Sequence, residues 1–407
     1  MTMSTYQQHQ TARGLYKVAV VDAATQEIVW EQKDWGKNLI LNNGMNSVAS
    51  RYWAASMAFA VAGTGITPMA LSSAEVTASQ ASNVVSATVG SYTFSSGDIG
   101  NTIKWDVGGA EALITGFTNP QSVTVTPSQS VGSGTFVVYQ TNQTGMATEV
   151  KRTAVYLPGA PYCQTSVDIS TGVVALRRTY DFSAEVIQRN YTEVGACWNS
   201  TAFTGNTTFS RILLPLAVTV NPGQQLRFVY ELQVTLGPVT PASFSASVSG
   251  WPVAPSVNTN ASQQLEHHGL QIVASSGAGT NGAGGYANEP SESGTMGGYM
   301  FVSPNASAFS AFDTTVSRQA SGYEVSLMSL LPYTPLSFTL DKTATYTVAQ
   351  LNRTDLRSVG LCANLVSSGL NPAVANGLVT LFDQSQSKNN TQTLSFIFRF
   401  TWGRTLA

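Results

Sequence analysis

The sequence predicts a mainly β chain, β-sandwich or jelly-roll-like, with one prominent helix in its N-terminal region. Three observations carry this. Strand-length runs with period-two alternation recur from Gly14 to Trp402. Turns containing Gly, Asn, Asp or Pro separate them, and a helical period surfaces only once, just after Asn43. The 407 residues include 20 Lys+Arg and 22 Asp+Glu, only 10% charge where an ordinary soluble domain carries roughly 25%. With 43% hydrophobic residues a core can form, and the remaining polarity is mostly uncharged Ser, Thr, Asn, Gln and Gly.

Residues 14–41 read as a hairpin. Leu15, Lys17, Ala19 and Val21 alternate with Tyr16, Val18 and Val20, Ala23-Ala24-Thr25-Gln26 turns the chain, and residues 27–31 return it. Residues 44–59 change period, because Met45, Val48, Ala49, Tyr52, Trp53, Ser56 and Ala60 recur at three- and four-residue spacing, as one face of a helix does. Asn42 and Asn43 are suitable N-terminal caps, and Ala62-Gly63-Thr64-Gly65 ends the pattern. Short runs at 91–94, 102–105, 111–117, 123–126 and 135–139 fit a small all-β module. Longer strands follow at 150–156, 173–182, 212–220 and 226–236. In the last, Leu226, Phe228, Tyr230, Leu232, Val234 and Leu236 share one parity. The final strand, 393–402, repeats this with Leu394, Phe396, Phe398, Phe400 and Trp402, so both are expected in one sheet system.

The organisation expected is therefore a hairpin and helix at 1–65 packed on the main β-domain, an inserted β-module at 66–145 and the main sandwich at 146–237. An excursion at 238–390 contains a Gly-rich arm at 274–298, and 391–407 closes the main domain. In and beside the arm, Tyr286, Met296 and Tyr299 are candidate anchors for contact with a neighbouring subunit.

Composition narrows the chemistry. A net charge of -2 without clustered Lys and Arg gives no dedicated nucleic-acid site. The strongest apolar neighbourhood, 54–62, is about half the roughly 20 residues of a membrane span, and the polar segment 1–10 does not look like a secretory signal. Cys163, Cys197 and Cys362 lack metal spacing and read as buried thiols, the alternative being one disulfide and a leftover thiol. Glu266-His267-His268 reads as an exposed turn, since adjacent residues do not converge on one ion. With His9 these are the only three histidines, and no nucleophile elbow or phosphate loop occurs. No catalytic, cofactor or metal residue is expected.

Lys37-Asn38-Leu39-Ile40-Leu41-Asn42-Asn43-Gly44-Met45-Asn46, with the later Ala62-Gly63-Thr64-Gly65, resembles the opening of tail-associated structural (virion) proteins of tailed bacteriophages. Tyr92-Thr93-Phe94-Ser95-Ser96-Gly97-Asp98-Ile99-Gly100, followed by Thr102-Ile103-Lys104-Trp105 and Glu111-Ala112-Leu113-Ile114, resembles a β-module of phage tail and appendage proteins. A third set is similar to virion β-domains: Tyr191-Thr192-Glu193-Val194-Gly195, Phe209-Ser210-Arg211, Val220-Asn221-Pro222-Gly223-Gln224-Gln225-Leu226 and Tyr230-Glu231-Leu232. The resemblance covers roughly 14–237 and implies a virion role. The expectation is a non-enzymatic tail or neck-to-tail subunit, made in the host cytoplasm and assembled with copies of itself and other virion proteins. The alternative is a receptor-binding fibre or tip protein contacting a host glycan or receptor, and a depolymerising enzyme comes third.

Overall fold

Both parities of residues 15–21 are apolar apart from Lys17, and both are buried: Tyr16, Val18 and Val20 in the main core, Leu15, Ala19 and Val21 on the opposite face. A strand buried on two faces is central. It is the middle of β1 (Thr5–Asp22), the spine of the molecule. Along one edge β1 pairs with β14 (Gln224–Leu236), from Gln10↔Leu236 to Asp22↔Gln224. Along the other it pairs in turn with β22 (Leu394–Arg404), β3 (Gly36–Ile40) and β2 (Ile28–Glu31). The predicted hairpin turn is closed by Asp22, whose Oδ1 accepts from the amides of Ala24 and Thr25 at 3.0 and 2.9 Å. The structure, a computed structural model, describes residues 5–49, 53, 55–90, 92–157, 162–168, 171, 173–200, 207–236, 240–241, 299–303, 324–327, 329–330, 332–362 and 376–406. The described residues are mainly β, with little helix.

The main sheet runs in the order β10 (Cys163–Asp168), β11 (Val173–Asp181), β14, β1, β3, β13 (Thr208–Val220), β12 (Arg189–Cys197), β4 (Phe59–Gly63) and β9 (Glu149–Thr153). It curls until its two ends meet. Just past β9, Tyr156 bridges Tyr180 on β11, and the Leu157 and Asp181 amides donate to Thr179 and Val155 carbonyls at 2.9 and 3.1 Å. The enclosed core holds an aromatic chain from Trp53 through Phe209, Tyr230 and Phe228 to Tyr180, each step between 5.9 and 6.5 Å. Leu226, Phe228, Tyr230, Leu232 and Val234 are all buried, as their shared parity predicts.

The two same-parity strands share this sheet, with β1 between them at residues 10–12. β22 runs parallel to β1, from Thr5↔Ile397 to Ala12↔Arg404, and antiparallel to β19 (Thr339–Tyr346). Its Leu394 and Trp402 are buried, and the Trp402 indole stacks on Tyr333 at 5.8 Å while donating to the Met45 carbonyl at 2.8 Å. β15 (Thr240–Pro241) and β18 (Ser329–Leu330) pair with β1 and β19. A separate sheet follows the order β17 (Glu324–Leu327), β16 (Tyr299–Ser303), β20 (Arg353–Cys362) and β21 (Asn376–Lys388).

The chain leaves the main sheet after β4 and returns at β9, its antiparallel neighbour (Ala60↔Thr153). Between them lies a module of β5 (Ala70–Ala87), β6 (Thr102–Trp105), β7 (Glu111–Asn119) and β8 (Ser122–Tyr139). Its own core includes Val76, Phe94, Ile103, Trp105, Ile114 and Phe136.

Several details differ from the sequence expectation. The helix is shorter: α1 spans Asn42–Ser47, a 3-10 turn covers Ala55–Met57, and Phe59–Gly63 is strand (residues 50–52 and 54 lie outside those described). Ala60, Val61 and Ala62 are all fully buried, and a strand buried on both faces is a continuous apolar run that periodicity cannot separate from a helix. Leu41, with no side-chain cap, precedes α1, because the Asn42 amide bonds elsewhere. Of the run expected at 91–94, residues 92–94 are not strand and 91 lies outside those described, and 123–126 and 135–139 are two ends of one strand, β8. β5 was not legible, being rich in Ser and Ala, and it holds its course by pairing with β8.

Candidate functional site

Of the predicted anchors, Tyr286 and Met296 lie outside the described residues, as do the rest of 274–298 and Glu266, His267 and His268. Tyr299 opens β16, its backbone paired with Leu327 and Cys362, so it belongs to a sheet strand. Cys197 is buried and free, and burial pushes its thiol up to about 12 although Arg152 pulls the other way. Cys163 is also free but half-buried, a correction to the expectation of three buried thiols; the Cys362 side chain lies outside the description.

What the fold brings together is the three resemblance motifs. Residues from each of them meet at the joint between the main sheet and the inserted module, at two adjacent clusters, while 224–226 and 230–232 pair with β1 away from it.

The first cluster is built on Glu193. In a chain with 10% charge, Glu193 and Arg211 stand on the neighbouring strands β12 and β13, both with essentially no exposure. Arg211 Nε donates to Glu193 Oε2 at 2.6 Å. Oε1 accepts from the amides of Gly65 and Thr148 at 3.0 and 2.7 Å, and Oε2 also accepts from Ala147 at 3.1 Å. One carboxylate therefore clamps the outgoing connection to the module (Gly65) and the returning one (Ala147, Thr148). Arg211 extends the clamp, donating to Gln143 Oε1 at 2.5 Å, and Gln143 donates to the Pro68 carbonyl at 3.2 Å. The approach is so close that a Cβ on Gly65 would stand 2.4 Å from Glu193 Oε1, and one on Gly63 2.3 Å from the Thr148 carbonyl oxygen. This is the physical content of Ala62-Gly63-Thr64-Gly65.

The second cluster joins the first motif to the second. Ser95 and Asp98 form a capping box, with Asp98 Oδ2 accepting from the Ser95 amide at 2.8 Å and Ser95 Oγ accepting from Gly97 at 3.2 Å. That tight turn brings Gly100, at φ +90, to the start of α1. Its carbonyl accepts from Asn42 Nδ2 at 2.6 Å and from Thr141 Oγ1 at 2.8 Å. Arg404 of β22 reaches the same place, donating to the Ile40 carbonyl at 2.9 Å, Asn42 Oδ1 at 2.6 Å and Thr102 Oγ1 at 3.1 Å. Burial lowers the Arg404 pKa, and nearby Glu111 acts against that. Leu406 packs with Leu39 and Leu41 against Met69 and Tyr139.

The carboxylate at the centre of the joint is occupied by four donors, the arrangement of a structural clamp. Among the described residues no three His, Cys, Asp or Glu side chains group closely enough to hold a metal ion, and no helix is long and apolar enough to cross a membrane. Sequence reasoning quoted Glu193 and Arg211 within motifs without giving them a role. The available signal was the lone acid of β12 and the lone base of β13, because a buried charge requires a partner. No protein family, curated protein or solved structure matches the chain.

Proposed function

We propose that this chain is a non-enzymatic structural subunit of a bacteriophage virion, a tail or neck-to-tail component present in multiple copies. The observation that carries the reading is the convergence of the three phage-like motifs on one joint, where they hold an inserted module on a closed β-scaffold. A subunit that transmits position along an assembly needs its modules held at fixed orientation, and a buried carboxylate held by four donors provides that at one geometry only. Low charge supports the same reading, since charged residues are depleted at the cores of protein interfaces. Mass spectrometry of purified virions, with antibody labelling in electron micrographs, tests it. The expected result is many copies per particle at the tail or neck; absence from particles overturns the proposal. Incubation of the subunit with host polysaccharide and peptidoglycan is expected to release no product.

A further inference from the structure

β2 is the one described edge that pairs three large apolar side chains with solvent. Ile28, Val29 and Trp30 are 55%, 55% and 47% exposed, and among the described residues β2 pairs with β1 alone. Edge strands are ordinarily blunted by Lys, Pro or inward charges. β2 has neither Lys nor Pro, only Glu31 and one extra residue, Val29, against the Val20/Val21 step of β1. Nearby Trp35 is already engaged by Lys17 and Arg177, at 5.7 and 5.2 Å from its ring. The free surface is the strand itself.

We propose that β2 pairs antiparallel with β2 of a second copy of this chain, about a two-fold axis at Trp30. The charges beside the strand select both the partner and the register. Glu27 and Lys33 are exposed on either side of Trp30, three residues away, and neither has an ion-pair partner among the described residues. Glu27 precedes the strand and Lys33 stands in the bend after it, so a two-fold at Trp30 brings Glu27 of each copy to the end of the contact where Lys33 of the other lies, and the attractive pair forms twice, with Trp30 facing Trp30 at the centre. A two-fold at Val29 would set Glu27 against Glu31 twice, and like charges opposite one another disfavour it. Four residues per copy fall well short of the roughly 800 Å² per partner of a standard interface, so this is a lateral contact among copies in an assembly, concentration-dependent in isolation. The inference rests on the reading of the chain as a self-assembling subunit.

The test uses the full chain. Trp30→Cys, oxidised beside the parent protein, is expected to give a dimer linked through residue 30 on peptide mapping. In sedimentation, Glu27→Lys and Lys33→Glu are each expected to weaken self-association about tenfold, and the double reversal to restore it. If the protein self-associates but the single reversals change nothing and residue 30 does not cross-link, the β2 contact is wrong while self-assembly stands. A protein that stays monomeric at all concentrations overturns both.

Discussion

Replacing Glu193 by Gln keeps the shape of the clamp and removes its charge. Suppose the amide oxygen stands at Oε1, keeping the Gly65 and Thr148 amides; its NH2 then faces two donors, the Ala147 amide and Arg211 Nε. Two charge-assisted bonds are lost, one of them an ion pair, and a guanidinium is left buried beside a neutral group. Breaking a buried pair from one side costs about 3–5 kcal/mol. The informative comparison is Glu193→Gln with Arg211→Met. Removing the stranded cation should recover about 1–3 kcal/mol, so the double variant is more stable than Glu193→Gln alone. Urea unfolding gives the free energies. Hydrogen exchange gives their location: the amides of Gly65, Ala147 and Thr148 should lose protection before those of β11 and β14. A Glu193→Gln variant within about 1 kcal/mol of the parent would refute the clamp, and so would a double variant no more stable than the single.

Gly65→Ala should cost about 1–3 kcal/mol, because its methyl group meets a buried carboxylate that has no room to move, whereas Gly132→Ala, with nothing within 4 Å, should stay near neutral in the same assay. Trp402→Ala removes a buried indole, its stack on Tyr333 and its bond to Met45; a loss of about 3–5 kcal/mol is expected by denaturant unfolding. Glu185 supplies a pH dependence. Burial by itself would raise its carboxyl, but Lys151, Tyr191 and Arg189 outweigh burial and hold it below the ordinary glutamate range. Its contribution is therefore complete above the unfolded-state value and is lost as the pH falls through the lowered native one. Glu185→Gln should weaken the protein near neutral pH yet lose less on acidification below about pH 4, so parallel acid limbs for the two proteins would contradict this.

Much of the β architecture was legible because alternation is a local property. β14 could be read as a buried strand from Leu226 to Val234, β22 as a strand with Leu394 and Trp402 buried, and the first hairpin from its alternation and its turn. The wrong extent of α1 has an equally local cause: small apolar residues at 57–63 satisfy a helix face and a doubly buried strand alike. β5 escaped notice because its Ser, Ala and Asn residues carry little strand preference and its pairing partner lies some fifty residues away. The motifs could be marked as unusual, but not as neighbours.

The sequence by itself determined the mainly β class, the parity of the buried faces, the scarcity of charge and the glycines at 63 and 65. Only the tertiary structure decided that Glu193 clamps Gly65, Ala147 and Thr148, that Asn42 meets Gly100, and that Arg404 reaches both Asn42 and Thr102. The reason is physical. Alternation and turn preference act between residues a few positions apart, whereas the bonds made by the side chains of Glu193, Asn42 and Arg404 at the joint span from 18 to 364 positions, and such partners exist only once the sheet has curled and closed.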